Sequence, residues 1–391
     1  MSRLLFLLPA VPQPLDAGAK IRNHGLMKLL GAQHEVDAIA FGDERVAELS
    51  ALTRRSAMVA LPPRRSVVAR VLDLAQSRLP DMAHRLWSPA FAQQVHCFLK
   101  DGDYDAVQAE GIEMARYLGG VPPDRRIYDA HNAEFLLQRR FSESGSSRQA
   151  RLYSRLQWRR LERFERGVVR GSRLTVAVSQ HDANQLLALS GGGNNVRVIP
   201  NGIEASNYTF VSPRAEQQPN LLFLGKLDFR PNDQALCWFI EEVLRPLECA
   251  RLFAVGDGPP KWLVAAGQHD DRVVVTGYVD DDRPYLARSA ALILPLKTAA
   301  GTRLKALVAM ATGLPIVSTS VGMEGLEVEP GTHFLLAESP AEWVASLKRV
   351  LGDVELRQRL ARNGRTLVEQ RYDWSAIRAD ALSAYGAILH A

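Results

Sequence analysis

The segment Leu292–Gly325, LILPLKTAAGTRLKALVAMATGLPIVSTSVGMEG, brings together the parts of an anion site. An apolar run, Leu292–Pro295, leads through a small-residue loop, Thr298–Gly301, into a helical stretch over about Thr302–Thr312 that stops at Gly313. Free backbone N–H groups and the helix dipole converge where such a loop meets its helix, and a phosphate is held there. Gly301 and Thr302 stand at that point, with Lys297, Arg303 and Lys305 crowding it with positive charge. Arg303 and Lys305 fall on different helix faces, so only one is central, and Lys305 reads equally as solvated. A second group is GKLDFRPN, where Gly225 admits close backbone approach and Lys226 and Arg230 offer cations to phosphoryl oxygens. The competing reading is a solvated loop. Gly18, with Asp16, Ala17 and Ala19, lies between a first apolar run and a helix; it either makes a turn through its free φ or lets backbone approach a ligand. Arg22, one turn on, faces a ligand cleft or solvent. In YDAHNAE, His131 stands at the end of an apolar run between Asp129 and Asn132. A lone histidine is more often structural, but this position suits hydrogen-bond or proton chemistry at a strand's carboxyl end.

The chain has 391 residues, 47% hydrophobic and 23% charged, with a formal net charge of +5. That length suits two cores better than one. The mild basic excess fits an anionic ligand or an anionic membrane face, and neither zinc spacing nor aromatic–basic interleaving points to nucleic acid. Three cysteines, Cys97, Cys237 and Cys249, form no pattern and point to a reducing compartment. No run approaches the ~20 apolar residues needed to span a bilayer. The opening MSRLLFLLPAVPQP reads as a buried strand rather than a signal peptide, so a cytoplasmic location is expected, with peripheral attachment to the inner membrane face as the option. Asp280, Asp281 and Asp282 fit the start of a helix better than a metal site.

Short apolar runs alternate with helical stretches throughout, which predicts α/β structure with doubly wound parallel sheets. Strands are expected at Leu4–Leu8, Glu35–Ala40, Ala106–Ala109, Arg126–Asp129 and Leu174–Val178. A second set follows at Asn220–Leu224, Ala250–Val255, Val273–Thr276, Ala291–Pro295, Pro315–Thr319 and His333–Leu336. Helices are expected at Ile21–Leu30, Gln149–Val169, Pro340–Leu351, Val354–Tyr372 and Trp374–His390. The polar stretch SPRAEQQPN marks a seam, giving domains over residues 1–205 and 206–373 and a terminal helix over 374–391. Ligands of such sheets bind at the carboxyl ends of the strands. Arg148, Arg151, Arg155, Arg159, Arg160, Arg163, Arg166, Arg170 and Arg173 stud the long helix, and Arg54, Arg55, Arg64, Arg65 and Arg70 form an earlier cluster; either is a solvated face or a membrane-docking one.

Taken in order, PLDAGAKIR, YDAHNAEF, VAVSQHDANQL, VIPNGIE, LLFLGKLDFRPN, FAVGDGP, TGYVDDDRPYLARS and the Leu292–Gly325 segment resemble the retaining glycosyltransferases of the GT-B fold, family 4 type. The resemblance implies two Rossmann-like domains facing across a cleft, the second binding a nucleoside-diphosphate sugar and the first an acceptor. The acceptor is a carbohydrate, a lipid-linked molecule or a small metabolite. The last helix is implied to cross back to the first domain. It assigns His131 a hydrogen bond to the transferred sugar or acceptor and Lys226 and Arg230 the leaving diphosphate. Gly18, Gly225, Gly301, Thr302 and Arg303 fall beside the donor phosphates, and the backbone of Gly277, Tyr278 and Val279 beside the nucleobase. Asp129, Asn132 and Arg22 lie on the acceptor side. No cofactor and no metal are implied. One position departs from the pattern: a glutamate that accepts from the ribose hydroxyls is replaced by Val308, and its partner position is Ala300. Val308 is explained as core packing by the stripe Leu304, Leu307, Val308, Ala311. The departure makes a nucleotide- or glycan-binding pseudoenzyme the alternative, with a nucleotide-sugar 2-epimerase as a distant third reading.

Overall fold

The computed structural model describes residues 1–42, 46–143, 148–213, 219–248, 250–298 and 303–389. Seven strands form the first sheet: β1 (Arg3–Leu8), β2 (Glu35–Phe41), β3 (Arg55–Val59), β4 (Ala106–Glu110), β5 (Arg126–Ala130), β6 (Leu174–Ala177) and β7 (Val196–Val198). Six form the second: β8 (Asn220–Leu224), β9 (Arg251–Val255), β10 (Val273–Gly277), β11 (Ala291–Leu294), β12 (Ile316–Ser318) and β13 (Leu335–Leu336). All the pairings are parallel, in the orders β3-β2-β1-β4-β5-β6-β7 and β10-β9-β8-β11-β12-β13. Strands such as RLLFLL and NLLFL are buried along almost their whole length because helices cover both faces of a parallel sheet. The strand order reverses between β1 and β4 and again between β8 and β11, so each unit has its switch point there.

Two of these strands escape the sequence expectation. β3 opens with Arg55, in a run read as a basic cluster, yet it pairs with β2 as the sheet's edge. Its charges are satisfied locally: Arg54 donates to the buried Asp37 at 2.6 Å, and Arg55 reaches Asp101 and lies 4.0 Å over the Phe98 ring. β7 is only three residues long. The helix Leu304–Thr312 stops as expected, with Gly313 in the left-handed region at φ 82°. A side chain there would also strike Phe210 and the Val211 carbonyl. The stretch Val354–Tyr372 is not one α-helix; it is α-helical over Val354–Leu367 and closes in a π-helical turn, Val368–Tyr372.

The chain divides into two compact units, Met1–Gly202 with Ile377–Ala391, and Ile203–Ala376. The helix Trp374–Leu389 therefore supplies most of its length to the first unit, where Ser2 Oγ donates to the Leu389 carbonyl. Ile203 and Trp374, where the chain passes between the units, are tied by a 3.2 Å backbone hydrogen bond.

Candidate functional site

In the first unit, polar residues collect at the carboxyl ends of β4 and β5, beside the switch point. β5 delivers Asp129 and, past its end, His131; β4 ends in Glu110. Arg22 comes from the helix Gly18–Gly31 and is 1% exposed. Its Nε and Nη2 donate to the two oxygens of Asp129, both at 2.7 Å, and Nη1 donates to the Ile199 carbonyl and to Asn201 Oδ1. Arg22 thus faces neither cleft nor solvent, because a fully buried Asp129 takes its planar fork in a bidentate pair. Burial pushes Asp129 up, and the guanidinium outweighs it and holds the carboxyl below its ordinary value. Gly18 is likewise not a turn using left-handed backbone. It is the exposed first residue of its helix, after Ala17 in extended conformation, so it offers a helix N-terminus.

His131 Nε2 lies 3.1 Å from Glu110 Oε2 and 3.7 Å from Asp129 Oδ2. Burial disfavours the charged ring, but the two carboxylates more than offset it and raise the His131 pKa. Glu110, buried and facing Asp129, is pushed up to about 7. These three residues have ligand-type atoms within 4.8 Å of one another. Asp129 is nevertheless engaged by Arg22 at both oxygens, which makes the cluster an ion-pair and hydrogen-bond network. Asn132 donates to Glu134 Oε1 at 2.7 Å. Glu165, from the helix Arg148–Arg170, accepts from the Phe135 and Glu134 N–H groups and from the Tyr128 hydroxyl, capping the helix that follows the His131 loop. Burial pushes Glu165 up to about 8. Glu110 escaped the sequence reading; its one signal was a carboxylate closing an apolar run, QAE, at a strand end.

In the second unit, three strand-end glycines are laced together. The Gly225 N–H donates to the Val255 carbonyl and the Gly256 N–H to the Gly277 carbonyl, each at 3.0 Å. A Cβ on Gly256 would sit 1.9 Å from the Gly225 oxygen, so only glycine allows this approach. Lys226 and Arg230 are exposed just beyond, the latter opening the helix Arg230–Phe239. Asn232 donates to the Lys226 carbonyl and receives Lys305 Nζ at 3.5 Å. Of the two readings left open for Lys305, the solvated one does not hold: its amine lies 4.5 Å over the Phe223 ring against the Gly225 turn. Burial, and then Arg303, lowers its pKa to about 7. Lys297 Nζ stands 4.2 Å over the Trp238 ring. Arg303 is buried at the start of the helix Leu304–Thr312. Val308 belongs to the apolar cluster of Leu307, Ala311 and Ile316. Tyr278 is 59% exposed after β10, whereas Val279 packs against that cluster. Asp281 is taken by Arg283 at 2.7 Å, as a helix-start residue. Gly301, Thr302 and Ala300 lie outside the described residues, as do Cys249 and the side chains of Arg148 and Arg151.

A family model described as Glycosyltransferase Family 4 matches residues 17–207, and one described as Glycosyl transferases group 1 matches residues 218–353. The chain belongs to the family 4, group 1 glycosyltransferases. The fold of this glycosyltransferase family member is GT-B, with two Rossmann-like parallel-sheet units. It is similar to sucrose-phosphate synthase from Thermosynechococcus elongatus, with a TM-score of 0.77 at 18% identity over 99% of both chains. It is also similar to Anabaena HepE solved with UDP-glucose, with a TM-score of 0.70 at 15% identity over 99% of this chain and 100% of that one. Among sequence relatives, a glycogen synthase of Mycobacterium tuberculosis is 26% identical over 237 residues, 58% of this chain and 57% of its own length. A D-inositol 3-phosphate glycosyltransferase of Arthrobacter is 26% identical over 343 residues, covering 80% of this chain and 77% of the relative. The family member thus spans little more than half the length of that glycogen synthase.

Proposed function

We propose that this protein transfers a glycosyl group, a hexose in the first instance, from a nucleoside-diphosphate sugar to an acceptor hydroxyl with retention at the anomeric carbon. The observation that carries the reading is the laced glycine edge of the second unit with Lys305 against the Gly225 turn and Lys226 and Arg230 in the loop that follows it, because close-packed backbone with cations nearby suits a diphosphate. The HepE structures with UDP and UDP-glucose, on the same fold, agree with that class of donor. In the reaction the bond from the anomeric carbon to the β-phosphate oxygen breaks, and the acceptor oxygen bonds on the same face. The acceptor proton passes to the departing phosphate oxygen. Lys226 and Arg230 stabilise the charge on that oxygen, which is why the reading requires no metal. His131 holds the sugar or the acceptor. The Gly277–Val279 backbone with Tyr278 lies beside the base. The apolar Val308 removes one charge-assisted hydrogen bond to the ribose, a loss of about 1.5–3 kcal/mol or roughly 10- to 150-fold in affinity. A diphosphate-anchored donor tolerates that loss.

The test is thermal stabilisation by UDP, GDP, ADP and TDP and their sugar conjugates, followed by transfer assays with and without EDTA. One diphosphate at 100 times its Kd should stabilise by about 2.7 kcal/mol, and transfer should survive EDTA. No stabilisation by any of them, or binding without transfer to any acceptor offered, would replace the transferase reading with the binding-only alternative. Interconversion of the donor sugar without an acceptor would make the protein an epimerase.

The acceptor is read as lipid-linked, reached from an anionic membrane surface. No helix among the described residues is long and apolar enough to cross a membrane. Arg160, Arg166 and Arg170 of the long helix are used internally, donating to carbonyls of Leu74, Ser77, Leu189 and Ser190. Exposed on or near the helix Val67–Gln76 and on the arginine-rich helix packed against it are Leu61, Val68, Leu72 and Leu156, together with Arg64, Arg155 and Arg159. Apolar side chains among cations suit an anionic bilayer surface. Co-sedimentation with vesicles should require anionic lipid and weaken in Leu72→Asp; equal binding to neutral vesicles, or none, rejects that reading.

A further inference from the structure

A directional chain of hydrogen bonds runs from the C-terminal helix to the His131 ring. Tyr385, on Trp374–Leu389, donates its hydroxyl to Gln108 Oε1 at 2.7 Å. Gln108 Nε2 donates to Glu110 Oε1 at 2.6 Å, and Glu110 Oε2 meets His131 Nε2 at 3.1 Å. The amide of Asn23, with its nitrogen turned to Glu110, donates to the same Oε2 at 2.8 Å. The sense of the chain follows from chemistry: a carboxylate only accepts, so Gln108 must present its nitrogen to Glu110 and its oxygen to Tyr385. Gln108, Glu110 and Tyr385 are all buried, so none of these groups has water as a substitute partner.

We infer that Glu110 is the positioning residue for His131, held in place by Tyr385 and Gln108 so that the ring turns Nε2 inward and presents Nδ1 to the ligand. Glu110 accepts from Gln108 and Asn23 and also faces the Asp129 carboxylate, so a proton it carries lies between Asp129 and the His131 ring. Glu110, Asp129 and His131 therefore titrate as one coupled set, with the His131 Nε2–H directed at Glu110 Oε2 when Glu110 is ionised. The other charged or titratable groups facing the pair are Arg22 from the helix Gly18–Gly31, Asp129 on β5, Glu134 and Tyr385. Arg22 is already committed to Asp129, so of the two carboxylates that raise the ring's pKa Glu110 is the one within hydrogen-bond distance of Nε2 and the one that fixes its tautomer. The ligand that Nδ1 touches is taken from the transferase reading; the pairing itself is not.

The experiment is a titration of the histidine ring signals by NMR on the full chain, with His131 assigned through His131→Asn. In the wild-type protein His131 should carry its proton on Nε2 and titrate above an ordinary histidine. Glu110→Gln should lower its midpoint and reduce kcat roughly tenfold or more, with the donor KM little changed. Tyr385→Phe removes one oxygen atom and should move the midpoint in the same direction by less, so it decides the matter if Glu110→Gln does not fold. An unmoved His131 titration in either folded variant would overturn the inference. A shifted titration in a protein without transfer activity would sustain the pairing while rejecting the transferase reading.

Discussion

Replacement of His131 by alanine should lower turnover by about 10²- to 10⁴-fold, the range set by loss of a positioned hydrogen-bonding or proton-transferring side chain. The reason lies in the placement of the ring. It follows β5 at a strand's carboxyl end, and both carboxylates meet it at Nε2. Donor affinity should change far less, because the proposed diphosphate contacts, Gly225, Lys226 and Arg230, belong to the other unit. A fall in kcat with donor Kd preserved therefore marks a residue that acts in the transition state. The pH profile is a second readout. Glu110 is pushed up to about 7, so the wild-type rate should show a limb near that pH, which His131→Ala should displace. Unchanged turnover in His131→Ala would remove the ring from the site.

The second large effect concerns stability. Arg22→Met should destabilise the first unit by about 3–5 kcal/mol, the cost of leaving a buried carboxylate unpaired. Asp129 is fully buried, and Arg22 supplies two donors to it while its third nitrogen holds the Ile199 carbonyl and Asn201. The pH dependence gives the sign. In the wild-type protein the folded Asp129 pKa lies below its unfolded value, so its stabilisation is present above the unfolded pKa and lost as pH falls through the folded one. Without Arg22, burial is opposed by only the smaller effects of His131 and Glu110 and raises Asp129, so the contribution reverses: it is present in acid and lost as pH rises. The deficit of Arg22→Met should therefore shrink as pH falls toward about 4, where aspartate protonates. Urea denaturation of both proteins at acid and neutral pH measures this. A deficit below about 1 kcal/mol, typical of an exposed pair, or one independent of pH, would show that the guanidinium is not what keeps Asp129 charged.

The two effects differ in how far the sequence reveals them. His131 is legible because its signal is local: an apolar run ends, and a polar ring follows at once. The same holds for the glycine turns at Gly225, Gly256 and Gly277, which each close a strand of the second sheet. Arg22 is legible only as a charged residue one turn into a helix. Its destination is Asp129, 107 positions away, and no helical periodicity carries that information. Lys305 is a similar case. Two cations two residues apart cannot share a helix face, but that Lys305 packs against Phe223 rather than extending into solvent depends on β8. β3 was hidden for the opposite reason. Its arginines dominate the local pattern, and only the buried Asp37 and Tyr104, which donates to it, show why a charged edge strand is stable there.

By itself the sequence determined the alternation of strands and helices, the two parallel sheets and the glycine loops at the strand ends. These follow from local apolar periodicity and from glycines whose backbone no other residue can adopt. Only the tertiary structure decided which polar side chains are buried against one another. It joined Glu110 to His131 across 21 positions and Tyr385 to Gln108 across 277. A buried polar group must find its partner wherever the fold brings one within hydrogen-bond reach, and that distance is set by packing rather than by sequence separation.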